Sequence, residues 1–383
     1  MIRLLLRSLL ALALVAASAV IAQRVLKPGD LLASGSADYP RLVAEKPGIT
    51  GKIAAAPLMV GGRMRIFAAK RQVRADGPIS IKAILTPKWS LRRWPQQLNG
   101  VVASGTTVIS RWSDGQLVAI DGLTGRIVWR VPGPTAGGYT GNRTGAVTVW
   151  TPPGLHVARG AVVVSSGQEL AAYDVTTGAR RFDVTVPAGC TDGFTTAGGR
   201  YVCPTGAYDL KTGRAVASWP AGPFTPLGCE VAASLCTALR DGTAHGWRVD
   251  AAAPRRLAQL DKPGSVFFDG VVVSPTSDGY LESADLRTGV HRFYTGGQVL
   301  GVSNGHLVIL TTNSRVRVVD MATGAVLIQM WLGLSTAKND WKLGHYQVVG
   351  GHVAIERLSD PGPASPDAVG YYLGVVPVVI CSV

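Results

Sequence analysis

This chain of 383 residues lacks long runs of like charge, and it lacks the short motifs by which most enzyme sites announce themselves. Lys and Arg number 38 against 24 Asp and Glu, yet no run of one sign exceeds two or three residues. The pairs Arg92-Arg93, Arg180-Arg181 and Arg255-Arg256 are scattered, and the densest basic group is Arg63, Arg65, Lys70, Arg71 and Arg74. A net charge of +14 spread in this way reads as a soluble basic surface, with attraction to an anionic envelope surface as the sharper alternative. There is no Gly-x-Ser-x-Gly elbow and no Gly-x4-Gly-Lys-Ser/Thr phosphate loop. Cysteine is scarce, at five, with no Cys-x-x-Cys pair, and His156, His245, His291, His306, His345 and His352 follow no ligand or catalytic spacing. Glu45, Glu169, Glu230, Glu282 and Glu356 stand too far apart for a local acid–base pair or calcium loop. No catalytic, cofactor-binding or metal-ligating residue is therefore assigned, and no cofactor is expected.

What is present points to many tight turns around a large core. The chain holds 47 glycines and 23 prolines without a low-complexity repeat, and 47% of its residues are hydrophobic. Residues 1–22, MIRLLLRSLLALALVAASAVIA, carry Arg3 and Arg7 ahead of an apolar stretch with small residues at its end. That is the pattern of a signal peptide or, if uncleaved, a signal anchor, and the bulk of the protein is expected outside the cytoplasmic membrane. With that address, nucleic acid is set aside as a partner. Residues 23–51, rich in Gly, Ser and Pro from Pro28 on, read as a linker ahead of one domain over 52–383.

The organising phrase is Gln116–Arg130, QLVAIDGLTGRIVWR. Two apolar runs flank Asp121-Gly-Leu-Thr-Gly125, a hairpin in which the aspartate accepts turn hydrogen bonds and the glycine takes positive φ. Both parities of Leu117–Ile120 are apolar, so this strand is expected to be buried on both faces. The phrase returns at Asp174–Gly178, Asp209–Gly213, Asp285–Gly289 and Asp320–Gly324, with a worn copy at Asp250. Successive aspartates lie 53, 35, 41, 35 and 35 residues apart. Units of that length, each with several strands, signify a β-propeller. Four residues after each glycine stand Trp129, Phe182, Ala217, Phe293 and Ile328, mostly apolar groups suited to filling the gap between stacked sheets.

The spacing predicts an all-β propeller of eight four-stranded blades. A degenerate first blade spans Leu58–Trp94, including a strand over Ile79–Leu85, and the last spans His345–Ile380. Seven blades result if those two blocks merge. The long first interval holds an insertion, Gly133–Gly154, in which Tyr139, Arg143 and Trp150 are candidates for contacts to a partner. Cys190 and Cys203 bracket the start of the fourth blade, and Cys229 and Cys236 that of the fifth. In an exported chain this equivalence argues for bridges Cys190–Cys203 and Cys229–Cys236, against the alternative of buried thiols, and leaves Cys381 over.

The pattern Ala-x-Asp-x-x-Thr-Gly-x-x-x-Trp closely resembles the repeat of the pyrroloquinoline-quinone-like (PQQ-like) propeller family. One branch contains quinoprotein alcohol and sugar dehydrogenases, which hold a quinone and calcium at the propeller axis. Many have a vicinal Cys-Cys ring and some a haem-attaching Cys-x-x-Cys-His, and this chain has neither. The other branch, of the BamB type, is non-enzymatic and scaffolds envelope proteins. This chain is similar to it in size, export and repeat type but lacks a lipobox cysteine. The resemblance implies a binding or scaffold protein of the cell envelope with another envelope protein as partner, and a quinoprotein dehydrogenase as the alternative.

Non-reducing peptide mapping of exported protein is expected to recover Cys190–Cys203 and Cys229–Cys236 as linked peptides with Cys381 free. Each bridge closes a short loop, worth roughly 2–3 kcal/mol or less. Alkylation of all five cysteines without prior reduction would exclude both bridges.

Overall fold

The computed structural model describes residues 7, 11–18, 20 and 29–383, except 36–37, 40–45, 78–85, 191, 231–234 and 333–340. The proposed leader lies largely outside these residues, as do Glu45 and the expected strand Ile79–Leu85. Among the described residues, short strands form seven hydrogen-bonded sheets. The first contains Pro57–Val60, Met64–Ala69, Gln72–Gly77 and Thr86–Trp94. The second contains Leu98–Ser104, Thr107–Trp112, Leu117–Asp121 and Ile127–Val131, and the third Leu155–Ala158, Ala161–Ser166, Glu169–Asp174 and Arg180–Thr185. The fifth runs Val266–Phe268, Val271–Pro275, Leu281–Asp285 and His291–Tyr294, and the sixth Gln298–Ser303, His306–Leu310, Arg315–Asp320 and Val326–Trp331. Each is an antiparallel meander whose first strand touches the first strand of a neighbouring sheet, so first strands line a common axis.

Two features depart from a uniform set of blades. Phe194–Thr196 and Leu235–Arg240 pair in parallel through Thr195–Leu235 and Thr196–Cys236. The expected fourth and fifth blades are thereby one seven-stranded sheet. The fourth unit has only three strands, and Ala217, where the plug was expected, is exposed. The last sheet contains Trp341–Val349, His352–Ser359 and Val378–Ser382, completed by Gly48–Ile53 from the other end of the chain. First and last blocks thus stay separate sheets, tied by one strand. Part of the expected linker is also strand, since Gly29–Ser34 pairs with Thr86–Trp94 on the outer edge of the first sheet. All six of its residues are exposed, which is why no apolar periodicity marks it.

Packing closes the ring. In Leu117–Ile120, Leu117 and Ala119 join the core shared with the third sheet, whereas Val118 and Ile120 join the core shared with the first. Both faces are buried because each sheet is sandwiched between two others, as the continuous apolar run implied. Equivalent clusters couple every later sheet to the next, and Ala354, Val378 and Ile380 of the last sheet pack with the first.

The five Asp-x-x-Thr-Gly turns are equivalent. Each glycine N–H donates to the aspartate carbonyl at 2.7–2.8 Å, and each aspartate N–H donates to the carbonyl of the residue after the glycine. The Oδ1 of Asp121 accepts from the N–H groups of Leu123 and Thr124, Asp174, Asp209 and Asp285 repeat this in their own turns, and Asp320 Oδ1 accepts from the N–H and hydroxyl of Thr323. Gly125, Gly178, Gly213, Gly289 and Gly324 all take φ of 70–79°. The worn copy differs, for Asp250 pairs with Arg248.

Absence of a side chain at these glycines also serves the neighbouring sheet. A Cβ on Gly178 would lie 2.8 Å from the Trp129 ring, one on Gly213 2.7 Å from Phe182, and one on Gly125 2.6 Å from Trp89. The aromatic plug of one sheet therefore seats on the glycine turn of the next. The two tryptophans add a hydrogen bond: Nε1 of Trp89 donates to the Gly122 carbonyl at 2.7 Å, and that of Trp129 to Val175 at 3.0 Å. Trp89 has no glycine phrase before it, so the repeat did not reveal its role.

Phe293 is not a plug. In the second, third and sixth sheets a bulge in the last hairpin brings the residue four after the glycine opposite the residue two before the aspartate. The fifth sheet has no such bulge, and Arg292 stands opposite Ser283 instead. This one-residue slip turns Phe293 outward, 68% exposed, while Arg292 reaches over Gly324 and donates to the Ala322 carbonyl.

Both disulfides are present, and Cys381 is a buried free thiol. Their placement is not equivalent. Cys229 and Cys236 face each other near the turn of their hairpin, whereas Cys190 precedes Phe194–Thr196 and meets Cys203 at the far end of its own.

Truncating Trp129 or Trp89 to Ala is expected to cost about 3–5 kcal/mol in urea unfolding, as for other buried aromatics. Phe293→Ala should stay within about 0.5 kcal/mol. A loss at Phe293 equal to that at the tryptophans would refute the slipped register.

Candidate functional site

The insertion Gly133–Gly154 is the largest departure from the repeat, and much of it is core. Its residues Ala146–Trp150 form one helical turn against Pro57–Val60, Leu98–Ser104 and Trp341–Val349, the first strands of three sheets. Ala146, Val149 and Trp150 are buried, and Trp150 Nε1 donates to the Pro57 carbonyl at 2.9 Å. Gly145, at φ 76°, starts the turn, and a Cβ there would meet the Ala68 carbonyl at 2.9 Å. The expected partner contact Trp150 is thus a plug on the axial side of the ring. Tyr139 is half-buried, with its hydroxyl donating to the Asn142 carbonyl. Of the three named residues only Arg143 is exposed.

The arm before this turn roofs a cavity of about 290 Å³ between the second and third sheets, lined in part by Asn99, Arg111, Gly137, Thr140, Ser166 and Asp192. Its floor is Arg111, 2% exposed. Nη1 donates to the carbonyls of Pro153, Gly154 and Ser165, and Nη2 to those of Pro134 and Thr135, at 3.0–3.4 Å. Five carbonyl dipoles stand where a carboxylate would be, so this guanidinium clamps two sheets and the insertion together. Burial pushes its pKa down to about 10, which leaves it charged at neutral pH.

Next to it in the electrostatics is His156, on the first strand of the third sheet. The side chain is buried, and neither ring nitrogen has a hydrogen-bond partner among the described residues. Burial, and then the Arg111 charge, push its pKa down to about 4, so it is neutral. It lacks the serine or carboxylate partner that would make it a general base. Nothing in the sequence distinguished Arg111 or His156, because neither stands in the repeat phrase.

Other titratable groups come together without forming a reaction centre. His291 and Glu282, nine residues apart on the strands of one hairpin, meet at 2.8 Å, with Ser274 in the same shallow pocket. The Ser274 hydroxyl is bonded to that of Ser265 at 2.7 Å, not to the imidazole. Glu356, buried, accepts from Thr144 Oγ1 and the His345 N–H and so anchors the insertion to the last sheet. Among the described residues, no three His, Cys, Asp or Glu side chains converge as a metal site would require.

A closed ring of antiparallel sheets joined by repeated turn motifs defines an all-β propeller, and the comparisons agree. Residues 45–218 match the family described as outer membrane protein assembly factor BamB, which places the PQQ-like repeat in this segment. Of solved structures, the C-terminal WD40 domain of Sif2 is similar at TM-score 0.52 and 11% identity, covering 89% of this chain and 99% of that one. The computationally designed Ika8 protein is similar at TM-score 0.50 and 14% identity, over 87% and 96%. BamB from Moraxella catarrhalis aligns at 15% identity and TM-score 0.38, over 88% and 100%. These likenesses concern the fold. No curated protein matches the sequence. The family match and the disulfides are compatible with an exported protein, and no helix among the described residues is long and apolar enough to cross a membrane.

His156 gives the site a pH signature. Its folded pKa lies below the unfolded value of about 6.5, so protons bind the unfolded chain preferentially. Stability is full above about pH 6.5 and falls as the pH drops toward 4, by about 3 kcal/mol at most. His156→Gln is expected to flatten the unfolding midpoint across that window, and an unchanged slope would show that other groups titrate there.

Proposed function

We propose that this protein is an exported, non-catalytic propeller that binds another protein of the cell envelope. The observation that carries the reading is the match of residues 45–218 to a family of outer-membrane assembly factors, set beside repeats whose aspartates are consumed by folding. The insertion is too deeply packed to serve as a detachable docking loop. A better contact surface is the pair of outer strands on the fifth and sixth sheets. Phe293, Val326, Leu327 and Trp331 are all 40% or more exposed there, on neighbouring sheets bridged by the Arg292–Ala322 hydrogen bond. Apolar groups of this size on adjacent edges suit a protein partner.

The alternative is a quinoprotein dehydrogenase. A planar quinone with its calcium needs an open axis lined by carboxylates and cations. At the described axial end stand instead Ala146, Val149 and Trp150, packed against first strands and bringing no carboxylate. These residues do not fit the cofactor, and the non-enzymatic reading is favoured.

Two measurements test it. Purified protein given the quinone and calcium is expected neither to retain cofactor nor to reduce dye with alcohols or sugars, and stoichiometric binding with turnover would overturn the proposal. Crosslinking in the native envelope should yield a specific partner that Phe293→Ser with Leu327→Ser removes. The same crosslinks in the double variant would eliminate these strands as the contact.

A further inference from the structure

Where the insertion crosses the first sheet it encloses a second cavity, of about 370 Å³, lined in part by Phe67, Lys70, Arg74, Tyr139, Asn142 and Arg143. Three cations line it, Lys70 and Arg74 from the hairpin Met64–Gly77 and Arg143 from the insertion, and among the described residues no Asp or Glu does. Arg143 lies 4.6 Å over the Tyr372 ring and donates Nη2 to the Gly374 carbonyl at 2.8 Å, which holds it against the last sheet. Arg74 Nε is 3.0 Å from Asp76 Oδ1 and its guanidinium stacks 5.2 Å from the Phe67 ring. Lys70 is exposed, and its ammonium has no hydrogen bond or ion pair among the described residues.

Behind Phe67 the positive charge is also in excess. Arg65 is 0% exposed, and none of its three guanidinium nitrogens is hydrogen-bonded among the described residues. It stands opposite Asp76 in the strand pairing, with its guanidinium 5.9 Å from the Phe67 ring. Among the described residues a single buried carboxylate, Asp76, therefore serves Arg65 and Arg74 together, which leaves one cation in this wall uncompensated. A buried cation without a full counter-charge is costly, and an anion bound nearby lowers that cost. The remaining lining, Phe67 with Ala55, Ala68 and Ala69, is apolar. A few well-positioned polar groups on an apolar wall are the usual make-up of a small-molecule site, and this volume is at the small end of such sites.

We propose that this cavity binds the phosphate group of a small phosphomonoester, with Lys70, Arg74 and Arg143 holding the oxyanion and Phe67 receiving the organic part. The site lies between the first sheet and the insertion, and Arg143 ties it to the loop of the last sheet through Gly374, so an occupant strengthens that contact. It stands independently of any protein partner on the outer strands.

Calorimetric titration of the full chain with inorganic phosphate and with glycerol phosphate, at low ionic strength, tests the assignment. One saturable equivalent of glycerol phosphate is expected, with a rise in thermal midpoint. Lys70→Gln and Arg143→Gln should each weaken it by about tenfold, the scale of one charge-assisted hydrogen bond. Arg255→Gln, an exposed cation in the seven-stranded sheet, should leave it unchanged. Lys70→Gln alone decides the matter if Arg143→Gln unfolds. Absence of saturable binding, or equal weakening by Arg255→Gln, overturns the site. Flotation with phosphatidylglycerol vesicles separates a lipid headgroup from a free phosphoester. Flotation lost in Lys70→Gln places the phosphate on a lipid, whereas flotation indifferent to both pocket variants reflects the general basic surface and counts against the pocket.

Discussion

The fold depends on the seat that four of the five Asp-x-x-Thr-Gly turns, at Gly125, Gly178, Gly213 and Gly324, offer to the sheet before them. An aspartate carboxylate collects the N–H groups of its own turn, and the glycine at positive φ closes that turn without a side chain. The bare glycine backbone then lies under Trp129, Phe182 or Trp89 from the preceding sheet. One five-residue phrase thus does two jobs, making a hairpin and an inter-sheet contact. Sheets of four short strands have little stability alone, and this seat couples them into one ring.

Closure comes from a second source. Gly48–Ile53 completes the last sheet beside Val378–Ser382, and the insertion fills the axial side of the seam with Val149 and Trp150. Arg111 and Glu356 anchor that insertion by hydrogen bonds to backbone carbonyls and to Thr144, from opposite sides. The surfaces left over are of two kinds, a cationic cavity between the first sheet and the insertion and an apolar pair of outer strands. The second exists because a single missing bulge turned Phe293 outward.

Several features were legible in the chain because they are local. The aspartate turns, both cysteine pairings and the double-faced burial of Leu117–Ile120 depend on residues close in sequence, and periodicity or spacing exposes them. Spacing could not reveal the fusion of the fourth and fifth units, since parallel pairing of Thr195 with Leu235 leaves no mark on either strand. The loss of Phe293 from the plug position was hidden for a similar reason. A bulge shifts facing by one residue while leaving the motif intact.

The sequence by itself determined the class of architecture and the turns that repeat through it, because each repeat carries its own hydrogen-bond acceptor, glycine and plug. Tertiary structure alone decided what the insertion is for. Read as a string, Gly133–Gly154 is an exposed loop rich in turn residues; folded, its helical turn lies against first strands from three sheets. It also decided the charged sites. Arg143 joins Lys70 and Arg74 only once the insertion packs on the first sheet, and Arg111 finds its five carbonyls only where two sheets and the insertion meet. Burial and the position of distant backbone dipoles set that chemistry, and neither is written in local sequence.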